Sequence, residues 1–465
     1  MNTLSKINTA NKKSPVKNSS SENRFSHSAD TLKEIARDML TYAKQQGASA
    51  CVAEVSDGFG QEVTVRQGEV ENIQYNRDKS LGVTVYIGQQ SGNAHTSDFS
   101  KQAVRDTVDA ALSIARHTAR DDCAGLPDQE MLATEFPDLD LYHPWLLSVE
   151  NVIELAASCE QAALDFDPRI SNSEGASISV HESQFVFANS LGFMGGYPSS
   201  RHSMSCAVIA GEDDAMQRDY WYSEARAAED LLGAKAIGLL AAQRTVRRLD
   251  ARKLDTMQVP ILFEAPIAAS LLGHFVGAVS GGGQYRKSSF LLNQLGQTVF
   301  SSNIHIDDIP DIQRGLASGA FDNEGVRTQR RAIVENGVLN GYFLSTYSAR
   351  KLGMKTTGNA GGSHNLILRS GDLNFNGLLK KMNRGLLVTE LLGQGVNHVT
   401  GDYSRGAAGF WVEGGEIQYA VEEITIAGNL KEMYRNIVAV GNDVLVQGSR
   451  QSGSILISNM MVAGQ

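Results

Sequence analysis

Residues 391–419 read LLGQGVNHVTGDYSRGAAGFWVEGGEIQY. Gly393, Gly395, Gly401, Gly406 and Gly409 cut the stretch into short extended pieces whose backbone can approach a neighbouring strand closely. His398, Asp402, Tyr403, Ser404 and Arg405 crowd between them, more polar groups than a packed strand tolerates. Two readings of Gly401 to Phe410 stay open. One is a binding or interface segment, which we expect, and the other is a structural loop.

Working outward, Val259 to Phe263 is a short apolar strand, and Ala265 to Val279 is an apolar segment of small residues. Arg331 to Val334 and Val338 to Phe343 flank Glu335-Asn336-Gly337, a hairpin signal. Residues 259–465 are therefore expected to form a β-rich, Gly-rich C-terminal domain, barrel-like or a sandwich. Residues 250–258 are charged and lack apolar periodicity, which suits a linker.

The half before the linker mixes periods. Leu32, Ile35, Ala36, Met39 and Leu40 repeat as on one helix face, with Asp30 as candidate cap and Gly47 as stop. Short strands follow at 62–66 and 69–74 around Gln67-Gly68, and at 81–87 and 93–97. A helix with Val104, Val108 and Leu112 inward comes next, then one capped by Ser148. Strand patterns return at 177–182, 184–188, 201–210 and 215–221, before a helix over about 225–249. Ser80-Leu81-Gly82 and Ser190-Leu191-Gly192 suggest an internal duplication. The fold class is α+β: an N-terminal helix-and-sheet domain over 30–249, a linker, and the β-rich domain, preceded by a tail over 1–29 read as disordered.

Composition excludes several classes. With 465 residues, 42% hydrophobic and 20% charged, the chain is a multi-domain globular protein. A net charge of −10 argues against a nucleic-acid partner. The basic run Arg244 to Lys253 follows a helical pattern and is expected to be a solvated helix end. Cys51, Cys123, Cys159 and Cys206 lie far apart without a C-x-x-C pair, as expected of reduced thiols in the cytoplasm. No apolar run approaches the roughly 20 residues of a membrane span, and residues 1–30 carry no secretory h-region, so no membrane partner is expected.

Familiar catalytic motifs are missing. The chain has no G-x-S-x-G elbow, Walker loop or dinucleotide fingerprint, and Gly281-Gly282-Gly283 lacks the lysine and hydroxyl of a phosphate loop. His181-Glu182 begins like a zinc motif but sits in an alternating strand pattern without a second histidine. Asp322 and Glu324 beside Arg327 suit a salt-bridged turn or a peptide contact.

The quoted stretch closely resembles the C-terminal signature of the TldD/PmbA family, on its PmbA (TldE) branch. So do Tyr285 to Leu292, Gly315 to Ser318, Phe321 to Thr328, Tyr347 to Gly353 and Gly358 to Asn365, a resemblance running over roughly residues 30–465. It implies a subunit of a cytoplasmic metalloprotease acting in peptide maturation and antitoxin degradation. The catalytic TldD branch carries a His-Glu-x-x-x-His zinc motif in the segment equivalent to Ala265 to Val279. Here His274 matches the second histidine, but Ala269 and Ser270 stand at the first histidine and the glutamate. That branch's third ligand is a late cysteine, and this chain has none after Cys206.

The resemblance therefore implies no catalytic and no metal residue in this chain and no cofactor of its own. Zinc is expected in a TldD-type partner of a heterodimer that takes unfolded peptides, with a homodimer possible when that partner is absent. His274, His364, His398, Asp402, Tyr403, Ser404 and Arg405 are the peptide-binding or interface candidates, although packing alone accounts for a core His274 and a turn His364. The alternative is a regulatory binding protein without proteolysis, acting in gyrase or carbon-storage control, and a third reading is an autonomous hydrolase.

Overall fold

The structure is a computed structural model and describes residues 24–464. Helix α1 (Ala29–Gln45) is capped by Ser28, whose hydroxyl accepts from the Thr31 N–H, so the cap lies before the expected Asp30. The short strands anticipated next merge into a long hairpin, β1 (Ala50–Arg66) and β2 (Glu69–Ile87), folded at Gln67-Gly68. Gly58 and Gly60 lie inside β1 and do not interrupt it. Strand β3 (Gln90–Thr96) and helix α2 (Lys101–His117) complete a first unit. The second unit has helix α3 (Val149–Leu164) behind the expected Ser148 cap, and strand β4 (Ile170–Asn189). It continues with β5 (Met194–Gly195), β6 (Pro198–Ala210), β7 (Gln217–Ala225) and helix α4 (Ala234–Val246), shorter than its pattern suggested.

One sheet joins the two units in the order β3-β2-β1-β4-β6-β7, with β5 pairing off β4. Each unit runs helix, strands, helix, and β1 and β4 meet antiparallel at the centre. The expected duplication is thus visible in topology. Its supposed markers are not equivalent, because Ser80-Leu81-Gly82 lies within β2 and Ser190-Leu191-Gly192 in the turn after β4. Helices α1 and α2 bury Leu32, Met39, Val108 and Leu112 over the first half of the sheet, and α3 and α4 bury Val152, Cys159 and Ile237 over the second.

Most of the expected disordered tail lies outside the described residues, but its last part is docked. Arg24 Nη1 donates to Glu182 Oε1 at 3.1 Å, and Glu182 is wholly buried. Tyr142 donates to the other carboxylate oxygen at 2.9 Å. The His27 N–H donates to Asp57 Oδ2 at 2.8 Å, and Gln184 Nε2 donates to the His27 carbonyl at 2.7 Å. Glu182 is thus an anchor and not the start of a zinc motif. Deleting residues 1–22 should leave thermal melting nearly unchanged. Deleting 1–28 leaves a buried carboxylate short of its cation, and should cost about 1–3 kcal/mol and lower the melting temperature by several degrees. Equal melting of the two truncations would show that the Arg24 contact carries no stability.

Residues 118–148 hold little regular structure and strap the first half onto the second. Tyr347 donates to Asp121 Oδ2 at 2.7 Å, Arg350 Nη2 to the Leu126 carbonyl at 2.6 Å, and the Ala133 N–H to the Gly325 carbonyl at 2.9 Å.

Beyond the strap and α4 come β8 (Met257–Phe263), α5 (Ala265–Ala278), α6 (Gly281–Tyr285) and β9 (Ile306–Ile309). Next are β10 (Arg331–Glu335), β11 (Val338–Leu339), α7 (Thr346–Lys351), β12 (Asn365–Leu368) and α8 (Phe375–Met382). The chain ends with β13 (Gly385–Leu392), β14 (Asp402–Glu413), β15 (Glu416–Asn429), α9 (Leu430–Arg435), β16 (Ile437–Val440), β17 (Arg450–Gln451) and β18 (Ile455–Ala463).

Strands β15-β14-β13-β8-β18 pair in that order, and β15 also pairs β18, which closes a five-stranded barrel. Closure removes the exposed edges that an open sheet of this kind would carry. A second sheet, β11-β10-β9-β12-β17, lies beside it. Side chains alternate across the barrel strands. Ile261, Phe263, Leu386 and Val388 join a large core with Leu271 and Phe275 of α5, while Leu262, Leu387 and Phe410 pack with Leu378 and Met382 of α8.

The glycines of the quoted stretch do permit close approach, but to this chain's own strands. A Cβ on Gly395 would lie 1.8 Å from the Ser404 carbonyl oxygen, and one on Gly409 1.9 Å from that of Leu387. Among the described residues no helix is long and apolar enough to cross a membrane.

Candidate functional site

Helix α5 follows β8 directly, with Pro266 in its first turn. Its small residues let other elements lie against it. A Cβ on Gly273 would stand 3.2 Å from Arg450 Nη1, and one on Gly277 3.9 Å from His398 Nδ1. Between these glycines His274 leaves the helix. Its ring centroid is 5.7 Å from that of His398 and 6.1 Å, edge-on, from that of Tyr403. Alternation along β14 sends Tyr403 and Arg405 toward this helix, while Asp402 and Ser404 are exposed on the other face.

The sequence candidates therefore divide. His274, His398, Tyr403 and Arg405 come together. Asp402 serves its own turn, accepting from Thr400 Oγ1 at 2.6 Å and from Asn429 Nδ2 at 3.1 Å. Its carboxyl is held below the usual range by these bonds. His364 belongs to another cluster, where its N–H donates to the buried Asp308 Oδ1 at 2.7 Å and its Nδ1 lies 3.1 Å from Oδ2. Asp322 accepts the N–H groups of Glu324, Val326 and Ala360, so it organises a turn through backbone amides instead of the expected salt bridge. Burial outweighs those bonds and pushes its carboxyl up to about 6.

The electrostatics of the His274 cluster are one-sided. Burial, then the charges of His398, Arg405 and Arg450, pull His274 down to about 4, so it is neutral at pH 7. Burial pushes Tyr403 up to about 12 against the pull of Arg405. His274 Nε2, the Tyr403 hydroxyl and Arg405 Nε are all buried without a hydrogen-bond partner.

A neutral imidazole with a free nitrogen is a possible metal ligand, which makes the zinc of the TldD branch worth testing here. The donor set does not fit it. Ala269 and Ser270 occupy the helix positions that would supply a second histidine and a base, and the Ser270 hydroxyl donates back to the Ile267 carbonyl at 2.6 Å. Among the described residues no three His, Cys, Asp or Glu side chains are grouped to hold a metal ion, short of the three protein ligands of a catalytic zinc.

Ser270 and Arg405 instead face a cavity of about 360 Å³ between the two halves of the chain, walled also by Trp221, Arg244, Thr389 and Glu390. The sequence reading missed these walls. Its expectation of a solvated basic helix end is also wrong for their neighbours. Arg244 and Arg248 are 9% and 8% exposed. Arg244 reaches Glu264 at 2.8 Å and Asp219 at 3.2 Å, Arg247 reaches Glu264 at 3.2 Å, and Arg248 reaches Glu390 at 2.6 Å. Burial lowers Arg244, but the Glu264 and Asp219 carboxylates outweigh it and raise it overall. Burial likewise raises Glu264, and the two arginines outweigh it and hold its carboxyl below the usual range. A helical spacing of arginines is the same whether they meet water or carboxylates, so only the acids at 219, 264 and 390 could have signalled this network.

Comparison with known proteins agrees with this architecture. Residues 256–464 match the PmbA/TldA metallopeptidase C-terminal domain, 142–249 its central domain, and 51–115 its domain 1. The chain is 52% identical to Metalloprotease PmbA of Escherichia coli O157:H7, covering 92% of this chain and 94% of that one. It is 48% identical to a Metalloprotease PmbA homolog of Haemophilus influenzae, over 93% of this chain and 96% of that one. A crystal structure from Bacteroides thetaiotaomicron, a proposed modulator of DNA gyrase, superposes with a TM-score of 0.89 at 29% identity, over 93% and 99% of the two chains. TldE of Thermococcus kodakarensis shares the fold at a TM-score of 0.81 and 19% identity, over 92% and 100%. With the barrel, the duplicated sheet and these matches together, the chain belongs to the PmbA/TldD metallopeptidase family.

Proposed function

We propose that this chain is the PmbA/TldE-type, non-catalytic subunit of a cytoplasmic TldD/TldE heterodimer that hydrolyses unfolded peptides. The observation that carries the reading is helix α5: it keeps His274 while presenting Ala269 and Ser270 where a zinc peptidase needs a ligand and a base. In this reading the TldD-type partner holds zinc and the general base, and this chain helps to hold the peptide through the segment around Tyr403 and Arg405. Both residues are buried or half-buried and carry unpartnered polar atoms, which suits contact with a ligand.

The test mixes the purified chain, a TldD-type homologue and an unfolded peptide. Hydrolysis should require both chains, and Arg405→Ala should lower it tenfold or more, since each 1.4 kcal/mol is one decade. The isolated variant should melt close to the native chain, because the side chain's hydrogen bond is a long 3.4 Å contact to the Leu391 carbonyl. A variant that unfolds readily yet cleaves normally once refolded places Arg405 in an internal structural network. A second reading, regulatory binding without proteolysis, draws on the gyrase connection of the Bacteroides neighbour. Stable assembly without peptide loss in the same mixture would favour it.

A further inference from the structure

Arg405 and Arg450 both act on half-buried His274, and neither has a carboxylate within ion-pairing distance among the described residues. Every other charge around the cavity is matched. Arg244, Arg247 and Arg248 answer Asp219, Glu264 and Glu390 one for one. The cavity region therefore carries an excess of positive charge, and Arg405 brings it to the wall.

The walls also hold polar atoms with nothing to bond. Trp221 is 8% exposed and its Nε1–H has no partner; Thr389 is 2% exposed and its hydroxyl has none. Arg405 Nε is a third buried group of this kind, and Asp219 Oδ2 accepts no hydrogen bond, with Arg248 Nη1 standing 3.7 Å away. Buried groups left like this each cost free energy, and several lining one cavity point to a ligand that completes them. Two groups able to donate, the Trp221 indole and the Thr389 hydroxyl, beside the unbalanced Arg405 guanidinium suit an anion with two oxygens, and the lone acceptor suits an amide N–H next to it.

We infer that the cavity walled by Trp221, Thr389 and Arg405 binds a peptide carboxylate, either the C-terminal group or an Asp or Glu side chain. The carboxylate pairs with Arg405 and takes the Trp221 indole and Thr389 hydroxyl as donors, and Asp219 Oδ2 accepts a neighbouring amide N–H. The charge of the ligand follows from the site itself. Its being a peptide rests on the peptide-handling reading above.

Calorimetric titration of the isolated full chain tests this with three acetylated tetrapeptides: alanine with a free C-terminus, the same peptide amidated, and an amidated version with one internal glutamate. At least one of the two carboxylate peptides should bind at least tenfold more tightly than the neutral amide. Tight binding of the glutamate amide alone makes the source a side chain, tight binding of the free acid alone makes it the C-terminus, and tight binding of both means that the site takes either. Arg405→Gln should remove the preference, and Trp221→Phe, which keeps an aromatic ring but loses the indole N–H together with the five-membered ring, should weaken the acid about three- to tenfold. Failure of both carboxylate peptides to outbind the neutral amide, no binding of any of the three, or an unaltered preference in a folded Arg405→Gln chain would overturn the assignment. The measurement uses no partner, so its failure is distinct from a failure of the heterodimer to cleave.

Discussion

Prepared in metal-free buffer and then offered zinc, the isolated chain should retain far less than one zinc ion per chain and show no chelator-sensitive peptide hydrolysis. With a TldD-type partner added, activity should appear and should be lost to chelator. The difference is expected to be all-or-none, because one imidazole cannot replace three ligands and no carboxylate on α5 stands where a base belongs. His274 is neutral near pH 7, so its charge does not exclude a cation; the poverty of the donor set does. The two unpaired arginines add to that, since they favour an anion beside it. Elemental analysis near one zinc per chain, or proteolysis by the chain alone, would reject the non-catalytic reading.

How much of this was legible in the sequence depends on whether one residue type had one structural use. Gly395 and Gly409 did: a carbonyl within 2 Å of a Cβ position excludes every other residue, so crowded glycines announced a close-packed β-rich domain. Asn336-Gly337 likewise marked its hairpin, and both residues have positive φ (49° and 77°). Ala269 and Ser270 were informative because the resemblance said what should stand there. Strand lengths were underestimated, since Gly58 and Gly60 look like breaks yet sit in a continuous β1.

The cavity was least legible. Trp221, Arg244, Ser270, Thr389 and Arg405 come from β7, α4, α5, β13 and β14, and nothing local to any of them marks the others as neighbours. Arg24 shows the same limit: a lone arginine in a polar segment has no periodicity, and its partner lies 158 residues away. The site became readable only when charge balance and hydrogen-bond completion were followed across those separations.

Charge balance also sets the largest stability effect expected from one substitution. Replacing Arg244 by Ala removes the group that bridges Asp219 on β7 to Glu264 at the start of α5, leaving both carboxylates buried with less compensation. Breaking such a pair by removing one partner costs about 3–5 kcal/mol. For a cooperative unit of about 200 residues that is a fall in melting temperature of roughly 6–15 °C. Arg244→Lys keeps the charge but cannot serve both acids as the guanidinium fork does, so it should recover only part of the loss.

The effect should depend on pH in a defined direction. Glu264 is held below its ordinary value in the folded chain, so on acidification the unfolded chain takes up a proton first. The ion-pair contribution is then complete above the unfolded glutamate pKa of about 4.3 and drains away as pH falls through the lower, folded value. The gap between native and Arg244→Ala stability, read by urea denaturation, should be widest near pH 7 and narrow below pH 4. A gap that widens on acidification, or an Arg244→Ala chain that melts like the native one at neutral pH, would mean that the buried network does not hold the two halves together.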